Sequence, residues 1–286
     1  MSRNNFFDAK AWPWQARFYD GAEGRLHYVD EGEGAPFLFV HGTPTWSYEW
    51  RHAIAGLQDR ARCVAVDHLG FGLSERPHDA EYRPEEHAER FRAFADSLDL
   101  DDATLVVHDF GGPIALPWIL DNRARLRRVV FINTFAWSFN DDRQLAGAAR
   151  LLGSRLGWLL YGMLNFSLRV MPPSAYAAPS RWRAVRHNYL PVFPDFKSRT
   201  LVLWRLARAL LDSSAFFASL ESRLSALQSV PVEVIWGTRD AAFSTKQRDR
   251  WIRAPPHAQS LDLDDAGHWP HEEQPDAVVA RLRQLV

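Results

Sequence analysis

The sequence predicts an α/β protein: a mainly parallel sheet covered by helices on both faces, with a helical insertion late in the chain. Three observations carry this. Short, continuous apolar and β-branched runs recur at 25–32, 36–42, 63–70, 104–112, 128–133, 232–240 and 259–263. Runs that are apolar throughout, and do not alternate, suit strands buried on both faces. Longer stretches with helical spacing lie between them, the rhythm of strand–helix–strand units. From 137 to 225 that rhythm stops, and no convincing strand interrupts a segment rich in Leu, Arg, Trp and Phe.

The helices are expected at 47–58, 84–98, 112–122, 244–253 and 271–284. Glu85 and Glu86 after Pro84 suit a helix first turn, where the backbone dipole favours negative charge, and Pro275 blurs the start of the last helix. The core is therefore assigned to 1–136 and 226–286. Residues 137–225, punctuated by Pro172, Pro173, Pro179, Pro191 and Pro194, are assigned to a helical cap inserted between two core strands.

Composition narrows the class. Hydrophobic residues at 47% of 286 support a large core, and a net charge of −1 gives no basic footprint for nucleic acid. The single cysteine, Cys63, can form no internal disulfide, which suits a reducing, cytoplasmic setting. The N-terminal stretch lacks the apolar core of a secretory signal. Residues 151–170 are the most membrane-like, but Arg155, Asn165 and Arg169 interrupt them. No membrane or nucleic-acid partner is expected, and the oligomeric state is not legible.

Four motifs carry chemistry. In TLVVHDFGG a strand runs into Asp109, followed by Gly111 and Gly112 and then a helical pattern. Small neighbours let the backbone turn sharply and expose the central side chain, as a nucleophile elbow requires. An ordinary strand-end aspartate is the competing reading. In DDAGHWPHEEQPD, His268 lies in a loop between strand and helix, with His271 and His108 read as structural. In VEVIWGTRDAAF, Asp240 follows a strand end and is placed to orient His268. Asp141 or Asp142 is the alternative acid, disfavoured because the nearer strand end carries Asn133. In HGTPTWSYEW, the main-chain N–H of Thr43, together with that of Phe110, would form an oxyanion hole.

An aspartate is already ionised at neutral pH, so it needs no base before attack. It suits displacement at saturated carbon to give an alkyl ester, which His268 then hydrolyses by activating water. Only substrate and water are consumed, so no cofactor or metal is expected.

These residues resemble the haloalkane dehalogenases and their relatives among the α/β-hydrolases. HGTPTWSYEWR, VDHLGFGLSERP, VVHDFGG and AGHWPHEEQPD carry the likeness, over about 24–135 and 230–286. The resemblance implies an eight-stranded, mainly parallel sheet, an inserted cap, and a small apolar organic substrate. NTFAW, with Asn133, looks like the branches that place the acid after the later strand, hence Asp240. Two departures stand out. The family usually has Trp after the nucleophile to hold the halide, whereas Phe110 has no N–H donor. Thr43 stands where an Asn commonly supplies the second donor.

Cap side chains that could replace these donors are Trp137, Trp158, Trp182 and Trp204, with apolar packing as the rival role of each. Epoxide hydrolysis uses the same three residues with cap tyrosines as acids, here Tyr161, Tyr176 or Tyr189. A branch that decarboxylates β-lactones is a further possibility. Defluorination of fluoroacetate is disfavoured, because that family has Arg after the nucleophile. A non-catalytic binding protein on the same fold would predict a broken triad.

Overall fold

A computed structural model describes residues 7–140, 142–255 and 257–286. Along the first half of the chain run β1 (Arg17–Gly21), β2 (Gly24–Glu31), β3 (Pro36–Val40), α1 (Arg51–Leu57), β4 (Arg62–Val66), α2 (Pro84–Asp96), β5 (Ala103–Asp109), α3 (Gly111–Asp121) and β6 (Leu126–Thr134). A helical segment follows, and then β7 (Val232–Gly237), with β8 (Gln259–Leu263) beyond it.

The eight strands form one sheet in the order β1-β2-β4-β3-β5-β6-β7-β8. β2 is antiparallel to both β1 and β4, and the remaining neighbours are parallel. β3 and β5, at the middle, are buried along their whole length. Phe37, Leu38, Phe39 and Val40 have no exposed surface, which is why they appear in sequence as a run without alternation. Each such side chain contributes roughly 1.5–3 kcal/mol by leaving water.

The strands stop earlier than their apolar runs suggest. The 36–42 run ends at Val40, 63–70 at Val66, 104–112 at Asp109 and 232–240 at Gly237. In each case the chain leaves the sheet at its carboxyl edge, where loops gather functional side chains. β1 was not expected. Its five residues form a half-exposed edge hairpin with β2, so the segment offers no buried run to detect.

The helices also shift slightly. The 47–58 helix divides into a 3₁₀ turn over Ser47–Trp50 and then α1. Its counterpart at 271–284 divides at Gln274, because the residue before Pro275 is sterically pushed out of helical geometry.

The described residues between β6 and β7 contain no strand. They comprise α4 (Arg143–Gly153), α5 (Arg155–Leu164), α6 (Phe166–Arg169), α7 (Met171–Ala175), α8 (Pro179–Val185), α9 (Phe196–Ser198), a π-helical stretch at Arg199–Trp204, α10 (Arg205–Asp212) and α11 (Ser214–Ser222). Contacts with the segment after β8 help to fix this insert over the core. The main-chain N–H of His268 donates to the carbonyl of Ala175 at 2.9 Å, and that of Ala177 donates to Glu273 at 2.8 Å.

Candidate active site

Asp109 ends the central strand and precedes α3, in a left-handed conformation with φ +49°. That conformation is costly for a residue with a Cβ and persists only where its surroundings enforce it. The glycines around it show how. A Cβ on Gly42 would lie 2.4 Å from the Asp109 side chain, one on Gly111 2.3 Å from the Val40 carbonyl, and one on Gly112 2.0 Å from Thr134 Oγ1. Thr134 Oγ1 also donates to the main-chain carbonyl of Asp109 at 2.5 Å. The turn is thus held from three sides, and the carboxylate faces the loop after β3.

There the main-chain N–H of Thr43 donates to Asp109 Oδ1 at 2.8 Å. Asp109 Oδ2 faces His268 Nε2 at 3.4 Å. His268 Nδ1 donates to Asp240 Oδ2 at 2.7 Å. Asp240 is itself fully engaged: the main-chain N–H groups of Ala242 and Phe243 donate to Oδ1, and Asn133 Nδ2 donates to Oδ2 at 2.8 Å. The structure therefore brings Asp109, His268, Asp240 and Thr43 together, and Asn133 supports the acid from the neighbouring strand end.

The electrostatics follow from burial and charge. Burial works against a charged His268, but Asp240 and Asp109 more than offset it and raise the imidazole to about 10. For Asp240, burial is likewise outweighed, by His268 and by the donors at its carboxylate, so it lies below its usual value. The site holds an imidazolium between two carboxylates.

The alternative acids do not compete. Asp142 accepts from Gln144 and Leu145 as the N-cap of α4, and Asp141 lies outside the described residues.

Among the proposed leaving-group donors, Phe110 is buried against Phe135 at 5.2 Å and contributes no side-chain N–H. The insert residues separate clearly. Tyr161 is buried, its hydroxyl donates to Met171 Sδ at 3.8 Å, and both burial and the charge of Asp109 raise its pKa. Tyr176 is buried and stacked on Trp269, with a hydroxyl that has no partner. Tyr189 donates to Glu272, which is also gripped by Arg51 at 2.7 Å.

The tryptophans take the packing role. Trp158 is 38% exposed on the outer side of α5 and packs edge-on to Phe196, so it cannot hold a leaving group at Asp109. α5 is apolar on nearly all sides, and spacing alone does not tell its inner face from its outer one. Trp137 is buried against Trp251 with the Arg250 guanidinium 4.1 Å from its ring. Trp182 stacks between Tyr189 and Trp269, and Trp204 donates to the Ser154 carbonyl.

Around the triad, His108 and His271 are the two histidines read as structural, whereas Glu49 and Asn165 had no clear signal in the sequence. His108 bridges the nucleophile strand to the histidine loop: Nε2 donates to the His268 carbonyl at 2.9 Å, and Nδ1 lies 3.2 Å from Glu49 Oε1. Burial opposes the Glu49 charge, yet His108 and His271 outweigh it and hold the carboxyl far down. Burial lowers His271 to about 4, despite the pull of Glu49. Glu49, His108 and His271 are the one group among the described residues whose donor atoms, within 4.8 Å of one another, could ligate a cation. Thr45 and His108 already occupy the Glu49 carboxylate. Asn165, one turn beyond Tyr161, is buried at φ +50° with its Oδ1 unpartnered. A left-handed asparagine capping a helix is the signal that could have marked it.

Comparison with known proteins agrees with this geometry. Residues 35–275 match the family described as alpha/beta hydrolase fold. Haloalkane dehalogenase 2 of Mycobacterium tuberculosis is 36% identical over 281 residues, covering 96% of each chain. A cis-3-alkyl-4-alkyloxetan-2-one decarboxylase of Xanthomonas campestris is 30% identical over 279 residues, covering 91% of this chain and 92% of the relative. Among solved structures, a haloalkane dehalogenase of Agrobacterium tumefaciens superposes with TM-score 0.81 at 26% identity, covering 95% of this chain and 97% of that one. This chain belongs to the α/β-hydrolase fold family and is one of its enzymes.

Proposed function

We propose that the protein hydrolyses carbon–halogen bonds of small apolar haloalkanes, with Asp109 as nucleophile, His268 as base and Asp240 as the group that orients it. The observation that carries this is the division of labour at the Asp109 carboxylate. Oδ1 is taken up by the Thr43 N–H, which leaves Oδ2, on the His268 side, as the oxygen that attacks.

In the first step Oδ2 bonds to the halogen-bearing carbon and halide leaves with the bonding pair. In the second, His268 Nε2 takes a proton from water, whose oxygen attacks Cγ of the ester. The negative charge that develops on Oδ1 meets the Thr43 N–H, with the Phe110 N–H as second donor. Collapse releases the alcohol and leaves one water-derived oxygen in Asp109. Esterification also removes the Asp109 charge, one of the groups that keep His268 protonated. His268 then gives up its Nε2 proton to solvent, and as a neutral imidazole it is ready to act as base once the ester exists. The sequence uses substrate and water alone.

Residues 137–225 act as the cap in this reading, with Tyr161 as its contribution to the site. A cytoplasmic setting is part of the proposal, in keeping with the lone buried thiol of Cys63, which burial raises to about 12.

A second reading has its own support. Phe110 offers a halide nothing, whereas the Tyr161 hydroxyl stays protonated beside Asp109 and suits an oxygen leaving group. An epoxide or a β-lactone, the ring that an oxetan-2-one is, would present such an oxygen.

The test is His268→Phe, incubated separately with a bromoalkane, an epoxide and a β-lactone and weighed intact. An ester mapped to Asp109 from the bromoalkane is the expected result. An adduct from the oxygen substrates alone would transfer the function to the second reading. No adduct from any of them, with the protein folded, would refute the aspartate mechanism.

A further inference from the structure

The outer face of α4 to α6 has a composition that the hydrolytic site does not explain. Nine large hydrophobic side chains are exposed among the described residues, and seven of them fall within 151–170: Leu151, Leu156, Trp158, Leu159, Met163, Leu164 and Val170. Met163 is 70% exposed. A cluster of this kind marks an interaction surface, whereas scattered exposed apolar residues do not.

The charge around it is one-sided. Residues 143–194 contain seven arginines and no acidic residue. Arg150, Arg155 and Arg169 are exposed among the apolar side chains, and none forms an ion pair with a described residue. Over 137–225 there are twelve basic and five acidic residues, a net of +7, which leaves −8 on the rest of the chain. Arg150 and Arg155, with Trp158, Leu159 and Trp204, also line a surface groove of about 750 Å³ between α4, α5 and α10, where Arg208 is already paired with Asp212.

We propose that this face docks on the surface of an anionic lipid bilayer. Its exposed apolar side chains would enter the headgroup boundary while the arginines meet lipid phosphates, the arrangement of an interfacial helix. No helix among the described residues is long and apolar enough to cross a membrane, so the contact is with the surface. A second copy of the chain is a poorer occupant. A two-fold interface would set the same arginines opposite each other, with no acid in the segment to pair with them. α5 connects this face to the site, because its inner side buries Tyr161 within reach of the Asp109 charge. The docking itself does not depend on which substrate is cleaved.

The experiment is co-sedimentation of the purified full chain with vesicles of phosphatidylcholine, with and without phosphatidylglycerol. Pelleting with the anionic vesicles, weakened by salt and absent without phosphatidylglycerol, is expected. Removing arginines in the combined variant R150A/R155A/R169A should lower partitioning by about fivefold for each residue removed. L156S/M163S should lower it as well, and both variants should keep the wild-type circular dichroism and melting curve. No pelleting by the folded wild type would overturn the proposal. So would a dimer in sedimentation velocity that L156S/M163S dissociates while vesicles capture nothing.

Discussion

The sheet and the insert handle charge in opposite ways. In the core, arginines are matched to carboxylates: Arg62 to Asp30, Arg281 to Glu233, Arg51 to Glu272 and Arg283 to Asp59. In the insert, the run 143–194 has arginines and nothing acidic; Arg181 reaches Glu273 in the core, but Arg150, Arg155 and Arg169 form no ion pair with a described residue. The site differs in the same sense. Every core group in it is held by several partners, as Asp240 is by His268, Asn133 and two main-chain N–H groups. Tyr161, from the insert, has one weak sulfur contact. The core is built to fix a reaction geometry, and the insert is left free to set what approaches it.

Substitutions can break that comparison if it is wrong. The largest expected effect is at the nucleophile: Asp109→Asn should lower turnover by on the order of 10⁴-fold, read as kcat on whichever substrate is active. Exposed insert positions such as Arg143 should leave kcat near wild type. A comparable loss there would dissolve the distinction.

The next effect is on stability against pH. The His268 pKa is raised from 6.5 to about 10 in the folded state, so its contribution is complete below 6.5 and fades as pH rises toward 10. Melting temperature should fall across that window, and Asp109→Asn should flatten the slope by removing one of the two carboxylates. An unchanged slope would mean that the imidazole is not charged between them.

Specificity should move with the insert. Tyr161→Phe is expected to cost about 10²-fold on epoxides or β-lactones and little on bromoalkanes. In the core, Phe110→Trp should favour bromoalkanes by about tenfold through a new N–H donor. Equal responses of all substrates to both changes would separate neither reading.

The smallest effects come from two glycines. Gly112→Ala should destabilise by about 1–3 kcal/mol, since its Cβ would collide with Thr134 Oγ1. Gly147→Ala, in α4 with nothing within 4 Å, should stabilise by about 0.5–1 kcal/mol. Thermal melts measure both.

How much was legible follows from the same contrast. β3, β5, β6 and β7 were readable because strands buried on both faces write continuous apolar runs. Their carboxyl ends were overrun, because His41, Phe110 and Thr238 look like more strand until the chain is seen leaving the sheet. Asp240 was favoured over the earlier aspartates because Asn133 occupied the competing strand end, and Asn133 turns out to donate to it. The insert yielded far less. Tyr161, Tyr176 and Tyr189 have no distinguishing spacing, and only the packing of separate short helices singles out Tyr161. Glu49 lies 59 residues before His108, so nothing local joined them.

One main-chain bond limits how independently the two regions can change. The amide of His268 is held by the carbonyl of Ala175, at the end of α7, while its own carbonyl is held by His108. Grafting the insert of a relative onto this sheet would therefore replace one of the two anchors of the base. Such a chimaera would inherit new substrate contacts together with a resettled imidazole, and its rate and its selectivity would change as one trait.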